Sequence, residues 1–285
     1  MDAYRSLPRE PPRQVQRVAG ALISGGPEDD LRARLARPEF PRASSYDPRW
    51  ILENVMGPHV LWLAEWLAGA MRLQPGMRVL DLGCGRATSS IFLAREFDLT
   101  VWAADLWISP DENWGRIKDA GLEDRVLPIH AEAHALPFAQ DYFDAVVSLD
   151  AWHYFGTGDL YLGYGSTFLR PGGQLGIVVP GVREELDEGV PEHVRPYWQW
   201  EFCSLHSPAW WRSHVERTGL LEVEVADWMP DGWRRWLEWA EFCTEAGPES
   251  FRAASAGEAE MLRVDGGRTF GFTRLVGRRP ERGAS

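Results

Sequence analysis

The stretch that most constrains this chain is Met77–Ser90, which reads MRVLDLGCGRATSS. Arg78–Leu82 has the apolar composition of a short buried β-strand, Gly83 and Gly85 favour a turn, and a helix is predicted to follow. A strand, a glycine-rich turn and a helix in this order are typical of the crevice in which α/β proteins bind nucleotides. The stretch therefore predicts an α/β fold with a binding site at the end of this strand.

Asp81 indicates which kind of ligand such a crevice accepts. Backbone N–H groups and a helix N-terminus attract a phosphate, whereas a carboxylate two residues before the first turn glycine repels one. The same carboxylate suits a ligand that carries an ammonium group and no phosphate. S-adenosylmethionine has this chemistry, with an α-amino group, a sulfonium and an adenosine. Asp81 therefore favours S-adenosylmethionine over a dinucleotide. A dinucleotide site would have indicated an oxidoreductase.

Strands and helices alternate along the chain beyond this turn. An alternating order of this kind is typical of a parallel sheet with helices packed on both faces. The strand Gln174–Pro180 is apolar almost throughout, as expected of a parallel strand buried on both sides. We predict an α/β fold with a Rossmann-like, seven-stranded, mostly parallel sheet. The predicted strands are residues 78–82, 100–105, 125–130, 143–149, 174–180, 220–228 and 268–276.

The regions on either side of this core have a different character. Residues 1–72 are predicted to form an arm and an N-terminal helical lid, and residues 73–180 the ligand-binding core. Residues 181–285 are predicted to contain an aromatic-rich cap inserted after the fifth strand, followed by the strands that complete the sheet. Of the 15 tryptophans, eight lie between Trp198 and Trp239. Aromatic residues concentrated in this way build a core or line an apolar pocket.

Composition excludes several classes of protein. The net charge of −12 argues against binding to a nucleic-acid backbone, which requires a basic face. The three cysteines, Cys84, Cys203 and Cys243, have neither metal-ligand spacing nor the pattern of a disulfide framework, so no metal is expected. The N-terminal stretch lacks a signal-peptide core, and the apolar run at residues 60–71 is interrupted by Glu65 and is too short to span a bilayer. We therefore expect a cytoplasmic protein with no membrane insertion, either a monomer or a homodimer.

The motif Val79–Gly85, together with Asp105 at the end of the second strand, resembles the class I S-adenosylmethionine-dependent methyltransferases. The resemblance extends from about Val79 to Pro180, and the closing strand at 270–277 fits it. It implies an enzyme that moves a methyl group to an oxygen, nitrogen or carbon of a small molecule, similar to the ubiquinone/menaquinone-type or cyclopropane-synthase-like branch. Two alternatives remain open, namely cyclopropane-synthase-like modification of lipid acyl chains and non-catalytic binding of S-adenosylmethionine.

The resemblance also implies roles for residues that match the family motifs. Asp81 would anchor the amino group of the cofactor, Asp105 would accept its ribose hydroxyls, and Glu132 would meet its adenine amino group from a position where aspartate is more usual. The expected cofactor-binding residues are Asp81, Gly83, Cys84, Gly85, Asp105, Leu106, Trp107, Ala131, Glu132, Ala133 and, from the lid, Tyr46.

The residues that follow the fourth strand lie, in this family, where the methyl group departs. Asp150 and His153 are therefore the expected catalytic residues, with His153 as the general base because its unperturbed pKa is near neutrality. A structural or substrate-binding role for His153 is the alternative. The expected substrate-binding residues are Trp152, Tyr154, Trp198, Trp200 and Trp233. Aromatic residues beside acids, such as Trp198, Trp200 and Glu201, would suit a cationic amine. They would equally suit a flat aromatic group or an acyl chain, and the tryptophans can also form the core of the cap.

Overall fold

The computed structural model describes residues 27–155 and 158–281 of the chain, so the predicted arm at residues 1–26 lies outside the described residues. The strands are β1 (Arg78–Leu82), β2 (Thr100–Asp105), β3 (Val126–His130), β4 (Phe143–Leu149), β5 (Leu169–Val182), β6 (Glu222–Trp228) and β7 (Phe270–Arg278). The helices are α1 (Pro27–Leu35), α2 (Pro48–Glu53), α3 (Val60–Ala68), α4 (Thr88–Phe97), α5 (Pro110–Asp119), α6 (Gly158–Gly165), α7 (Pro208–Thr218), α8 (Gly232–Ala246) and α9 (Glu249–Asp265).

The seven strands form one sheet in the order β3-β2-β1-β4-β5-β7-β6. The first five strands are parallel to one another, and β7 runs antiparallel to both β5 and β6. This arrangement confirms the predicted Rossmann-like, mostly parallel sheet. β5 is longer than expected at both ends because it pairs with β4 from Leu169 and with β7 as far as Val182.

Alternate residues of the central strands pack into two different apolar clusters. Val79 belongs to the cluster formed with α3 and α4, whereas Leu80 belongs to the cluster formed with α6 and α7. Successive side chains of a strand point to opposite faces, so the sheet is covered by helices on both sides. Burial on both faces explains why these strands are apolar throughout.

The strand order reverses between β1 and β4. β2 and β3 lie on one side of β1, and β4 and β5 on the other. In doubly wound sheets the connections diverge at this point and leave a crevice at the carboxyl ends of the two strands. Asp81 and Gly83 at the end of β1 and Asp150 after the end of β4 lie at this crevice.

A lid segment, defined here as residues 48–68, joins α2 to α3 through a tight loop at Met56–His59. Asp47 caps α2, with its side chain accepting a hydrogen bond from the backbone N–H of Arg49, and His59 caps α3 in the same way through Trp62. The guanidinium of Arg86 donates to the carbonyl of Glu53 at 2.7 Å. The loop is thereby held against the turn that follows β1.

The aromatic-rich region forms two separate segments instead of one cap. Residues 183–221 connect β5 to β6 and contain α7, whereas α8 and α9 form a helical hairpin between β6 and β7. Because β6 ends and β7 begins at the carboxyl edge of the parallel strands, the hairpin stands at the same edge as the crevice. None of the helices in the described part of the chain has the length and apolar character needed to cross a membrane.

Candidate active site

The turn after β1 requires glycine for two reasons. Gly83 and Gly85 have φ values of 77° and 53°, a region that glycine adopts without steric cost. A Cβ atom on Gly83 would also overlap the side chain of Ala151, which follows β4. The backbone N–H groups of Gly83 and Cys84 donate to the carbonyl of Ala104 at 2.9 and 3.1 Å. The turn therefore fits closely between the ends of β2 and β4.

Asp81 lies beneath this turn and is completely buried. Its Oδ2 accepts hydrogen bonds from the hydroxyls of Ser89 and Ser90 in the first turn of α4, each at 2.6 Å. Its Oδ1 is buried and makes no hydrogen bond within residues 27–155 and 158–281. Burial raises the pKa of Asp81 to about 6, and the two serine hydroxyls oppose this shift. The free oxygen provides an acceptor for a cationic group, as expected for the amino group of S-adenosylmethionine.

Asp105 ends β2 and organises the backbone around the turn. Its Oδ2 accepts from the backbone N–H of Gly85 at 2.8 Å, and its Oδ1 accepts from those of Trp107 and Ile108 at 2.7 and 2.9 Å. The negative charge of Asp105 also contributes to the raised pKa of Asp81. Two carboxylates at the ends of adjacent strands make the crevice unfavourable for a pyrophosphate, which supports the argument made from Asp81 alone.

Leu106 and Trp107 extend from the end of β2 into solvent, with exposures of 48% and 50%. Trp107 lies edge-on to the ring of Tyr154, with 5.8 Å between the ring centroids. The two exposed aromatic rings therefore connect the segment after β2 with the segment after β4. Their position is compatible with contact to an adenine ring in the crevice.

The third predicted motif follows β3. The backbone N–H of Ala131 donates to the carbonyl of Asp105 at 3.0 Å, which places this segment beside the end of β2. The exposed carboxylate of Glu132 accepts hydrogen bonds from the ring and the backbone of His134. The ring hydrogen bond is the main cause that lowers the pKa of Glu132. Ala133 is buried, and its carbonyl accepts from the hydroxyl of Tyr161.

Tyr46 occupies a different place from the one predicted. Its buried ring packs against Trp50 and Phe92, and its hydroxyl donates to Glu96 at 3.1 Å. Glu96 lies in the last turn of α4, at the end of the helix opposite the glycine turn. Tyr46 is therefore part of the core beneath the lid segment. Met56 of the lid segment contacts the turn instead, since its side chain would lie 3.4 Å from a Cβ atom on Gly85.

Asp150 follows β4 in a left-handed backbone conformation, with φ 53°. Aspartate tolerates this region better than most residues, and such conformations are concentrated at functional sites. Its Oδ2 would lie 2.5 Å from a Cβ atom on Gly57, so the carboxylate rests against the backbone of the lid segment. Burial, and then the charge of Glu258 on α9, raises the pKa of Asp150 well above its usual range.

His153 lies in the short 3₁₀ helix that follows Asp150. The residue as a whole is partly exposed, but its Nδ1 atom is buried and has no hydrogen-bond partner in the described part of the chain. Burial lowers the pKa of His153 to about 4. The imidazole is therefore neutral at pH 7, but it is a weaker base than a solvated histidine.

The predicted substrate-binding aromatics are not brought together by the fold. Trp152 is fully buried, with its ring packed against Phe155 and Tyr161. Trp198 is half-buried and stacks on Phe270. Trp200 is 79% exposed, and the indole of Trp233 lies against Gly267. Trp152 is therefore a core residue, whereas Tyr154 is exposed beside Trp107 at the crevice.

Several residues at the crevice were missed by reasoning from the sequence. Ser89 and Ser90 had a recognisable signal, because hydroxyls in the first turn of a helix after a glycine turn lie close to the end of the preceding strand. Asn113 had none: its side-chain amide donates to the carbonyl of Gly85 at 2.9 Å from α5. Gly57 and Glu258 also had none, because their proximity to Asp150 depends on the packing of distant segments.

Residues 79–173 match a family model described as a methyltransferase domain. The chain is 32% identical over 177 residues to methyltransferase GfsG of Streptomyces halstedii, an alignment that covers 58% of this chain and 60% of GfsG. It is 30% identical over 196 residues to the uncharacterized protein Mb1440c of Mycobacterium bovis, covering 65% of this chain and 68% of that protein.

Among solved structures, a putative sarcosine dimethylglycine methyltransferase from Galdieria sulphuraria has the same fold, with a TM-score of 0.63. That structure shares 20% sequence identity over 84% of this chain and 90% of its own. With sequence matches of this extent, and with a crevice between β1 and β4 built around a buried carboxylate in place of a phosphate cradle, the chain belongs to the class I S-adenosylmethionine-dependent methyltransferases.

Proposed function

We propose that this protein binds S-adenosylmethionine in the crevice between β1 and β4 and transfers its methyl group to a small-molecule acceptor. The observation that carries the proposal is the free Oδ1 of Asp81. This buried acceptor has no partner in the described part of the chain, and an ammonium group would satisfy both its hydrogen-bonding capacity and its charge. Asp105, whose charge adjoins that of Asp81, disfavours the pyrophosphate of a dinucleotide.

The position of each residue supports the further cofactor contacts that we propose. Asp105 ends β2 where it can accept the ribose hydroxyls, provided that its oxygens share their lone pairs with the backbone N–H groups that they already bind. Leu106 and Trp107 would flank the adenine. Ala131, Glu132 and Ala133 would border it from the end of β3, which requires Glu132 to release His134. Gly83, Cys84 and Gly85 would face the methionine part through their backbone.

The bound cofactor would supply an electrophilic methyl group on a sulfonium, so methyl transfer needs no covalent intermediate on the protein. The chain would align the acceptor with the methyl group, exclude water with the lid segment and the α8–α9 hairpin, and remove a proton where the acceptor carries one. Asp150 and His153 both follow β4 at this place. Because its pKa is raised, Asp150 is the better proton acceptor of the two.

Binding and catalysis are tested separately. Calorimetry with S-adenosylhomocysteine and, in parallel, with NADH is expected to show saturable binding of the first compound only. Asp81→Asn should weaken that binding, whereas Asp111→Asn, on the exposed first turn of α5, should not. Tight NADH binding without a response to S-adenosylhomocysteine would refute the proposal. A methyl-transfer screen over amines, phenols and carboxylates then distinguishes an enzyme from a protein that only binds the cofactor.

We further propose that the protein acts on its small-molecule substrate in the cytoplasm, without nucleic acid, as a monomer or a homodimer. The net charge of −12 supports the absence of a nucleic-acid partner. The free thiols of Cys84 and Cys243 are buried, and such thiols are usual in a reducing compartment. Light scattering on the purified chain measures its mass in solution, and a species larger than a dimer would contradict this proposal.

A further inference from the structure

The carboxylate of Asp150 has no counter-charge among the residues that the structure describes. Within residues 27–155 and 158–281 it makes no hydrogen bond and no ion pair, although its Oδ2 rests against Gly57 of the lid segment. Its left-handed backbone, fixed at the end of β4 where the chain leaves the sheet, holds the side chain at this place. A partly buried carboxylate without a partner is costly, so its presence at the crevice calls for an explanation from function.

A second carboxylate, that of Glu258, approaches from the α8–α9 hairpin. It accepts a hydrogen bond from Nε1 of Trp236 at 3.2 Å and forms no ion pair in the described region. Its charge is close enough to raise the pKa of Asp150, and burial raises the pKa of Glu258 itself. Trp236, the donor to Glu258, and Trp239, the donor to the carbonyl of Gly57, lie three residues apart on one face of α8, so Glu258 lies on the side of the hairpin that contacts the loop beside Asp150. No lysine or arginine within residues 27–155 and 158–281 forms an ion pair with either acid.

The groups around the two acids belong to α8, β7 and the lid segment. Trp236, which donates to Glu258, packs against Phe272 with 5.1 Å between ring centroids. Trp239, one turn further along α8, donates from Nε1 to the carbonyl of Gly57 at 2.8 Å and so ties the hairpin to the loop on which Asp150 rests. Carboxylates form charge-assisted hydrogen bonds with ammonium ions, and the faces of indole rings also attract such ions.

We propose that Asp150 and Glu258 form the acceptor subsite and that the acceptor is an amine that binds in its protonated form. An ammonium group would pair with both acids and stabilise their ionised forms, whereas an alcohol or phenol would provide no positive charge for them and a carboxylate would add a third acid to the subsite. This inference rests on the proposed function and names its substrate class. It also moves the amine site from Trp200 and Glu201, which are exposed, to the junction of the lid segment and the hairpin.

The subsite also provides the proton transfer that methylation of an amine requires. Asp150 takes a proton from the ammonium group and leaves a neutral nitrogen with a free electron pair. That pair forms the new N–C bond while the S–C bond of the methyl donor breaks and its electron pair stays on sulfur. The products are a methylated ammonium and S-adenosylhomocysteine, and Asp150 returns its proton to solvent after they leave.

The first test uses compounds with matched carbon skeletons. The full chain is saturated with S-adenosylhomocysteine and titrated by calorimetry with cyclohexylamine, cyclohexanol and cyclohexanecarboxylate, and then with isobutylamine and its alcohol and acid counterparts. We expect saturable binding of at least one amine, at least about tenfold tighter than its counterparts. Equal or tighter binding of an alcohol or acid, or no saturable binding of either amine, would overturn the inference. If S-adenosylhomocysteine itself does not bind, the proposed function fails instead.

The second test uses variants that change charge and little else. Glu258→Gln keeps an oxygen for Trp236, and Asp150→Asn keeps a side chain that tolerates the left-handed backbone. Each should weaken amine binding by about tenfold or more and leave the affinity for S-adenosylhomocysteine within about twofold, with Tm unchanged or raised. Glu260→Gln, on the exposed side of α9 where it pairs with Arg263 at 3.2 Å, is the control. Unchanged amine binding in Glu258→Gln, or a lowered Tm with loss of S-adenosylhomocysteine binding, would show that Glu258 is structural.

Discussion

Asp81 is fully buried, with one oxygen hydrogen-bonded and the other without a partner among residues 27–155 and 158–281. Burial of a carboxylate without a cation favours its protonated form. A single residue therefore opposes stability and supports binding at the same time. The same holds for Asp150, directly after β4, whose carboxylate likewise has no hydrogen-bond or ion-pair partner in the described segments of the chain. At both positions a cationic ligand would stabilise a carboxylate that the ligand-free fold leaves without a counter-charge. Residues that cost stability in this way are expected at binding sites.

Asp81→Asn is expected to change stability and binding in opposite directions. A rise of the Asp81 pKa from 3.8 to about 6 means that the native state binds more protons than the unfolded state, so this carboxyl lowers stability as pH increases from 4 to 6, by about 3 kcal/mol in total. Asparagine should therefore raise Tm at pH 8 and flatten the dependence of Tm on pH in that window. Loss of a hydrogen bond to a charged group should weaken S-adenosylhomocysteine binding about 10- to 100-fold. A lower Tm at pH 8 with unchanged affinity would contradict the assignment.

His153→Gln tests which residue removes the proton. Because burial lowers the pKa of His153 to about 4, its titration in the free enzyme should appear near that pH and not near neutrality. We expect the pH profile of kcat/KM between pH 6 and 8 to keep its shape in the variant, with a loss of activity of less than about tenfold. A limb near pH 6.5 that is present in the wild-type chain and absent from the variant would restore His153 as the general base.

At the scale of elements, the site depends on how closely neighbouring segments approach. The turn after β1 touches Ala151 after β4, and the lid segment touches both the turn and Asp150. A Cβ atom on Gly83 would overlap Ala151, and a Cβ atom on Gly57 would displace the carboxylate of Asp150. The glycines in the site therefore serve close packing between elements as much as backbone conformation.

A pair of glycine substitutions separates the two effects. Gly83 and Gly76 have similar positive φ values, 77° and 79°, but a Cβ atom would overlap Ala151 at the first position and meets nothing within 4 Å at the second. Gly76→Ala should cost about 1 kcal/mol, the price of the left-handed backbone. Gly83→Ala should cost about 2 kcal/mol more because the turn and the β4 end must separate. Urea unfolding measures both, and equal costs would show that the close approach is unimportant.

The capping of α3 predicts how the lid segment responds to acid. His59 is buried and its ring stacks on Trp62. Its Nδ1 accepts a hydrogen bond from the backbone N–H of Trp62 at 3.3 Å. Burial lowers the pKa of His59 to about 3, so the unfolded state binds more protons than the native state between pH 6.5 and 3. Stability should fall by up to about 5 kcal/mol as pH falls through that window.

His59→Asn keeps an oxygen that can cap α3 and removes the titrating ring. We expect the variant to be less stable at pH 8, because the stacking on Trp62 is lost, and to depend less on pH between 6.5 and 4. Thermal unfolding at several pH values measures both effects. A pH dependence as steep as that of the wild-type chain would show that other groups control acid unfolding.

At the scale of the whole molecule, three parts meet at the carboxyl edge of the sheet. The lid segment comes from before β1, Asp150 follows the central strand β4, and the α8–α9 hairpin comes from between β6 and β7. Trp239 joins the hairpin to the lid segment through its hydrogen bond to Gly57. The proposed acceptor subsite exists only where the three parts are in contact.

Trp239→Phe is expected to loosen this junction. It leaves the carbonyl of Gly57 without its donor and should lower the free energy of unfolding by about 1–3 kcal/mol. Amine binding should weaken while S-adenosylhomocysteine binding is kept, because Asp81 and the glycine turn are not changed. Trp200→Phe, at a residue that is 79% exposed, serves as the control. Equal effects of the two substitutions would refute the role of the junction.

The predictions from sequence succeeded where the signal is local. The spacing of Asp81, Gly83 and Gly85 identified the family, and the apolar strands with their intervening helices predicted the seven-stranded sheet; both are confirmed. The glycine-proline pair after Met56 predicted the break between α2 and α3. Such features depend on neighbours within a few residues of each other, which is the range over which backbone periodicity and turn chemistry act. The roles of the individual site residues stay predictions.

What the sequence by itself determined is the sheet, the turn and the kind of ligand that a carboxylate at Asp81 favours. The tertiary structure alone decided which distant side chains share the crevice. Tyr46 and Trp152 proved to be core residues, and Glu258 joined Asp150 from a helix near the end of the chain. Composition indicates that an aromatic residue or an acid is present, but its neighbours follow from the packing of α8 and α9 against the lid segment, and side-chain packing over such separations leaves no periodic trace in the sequence.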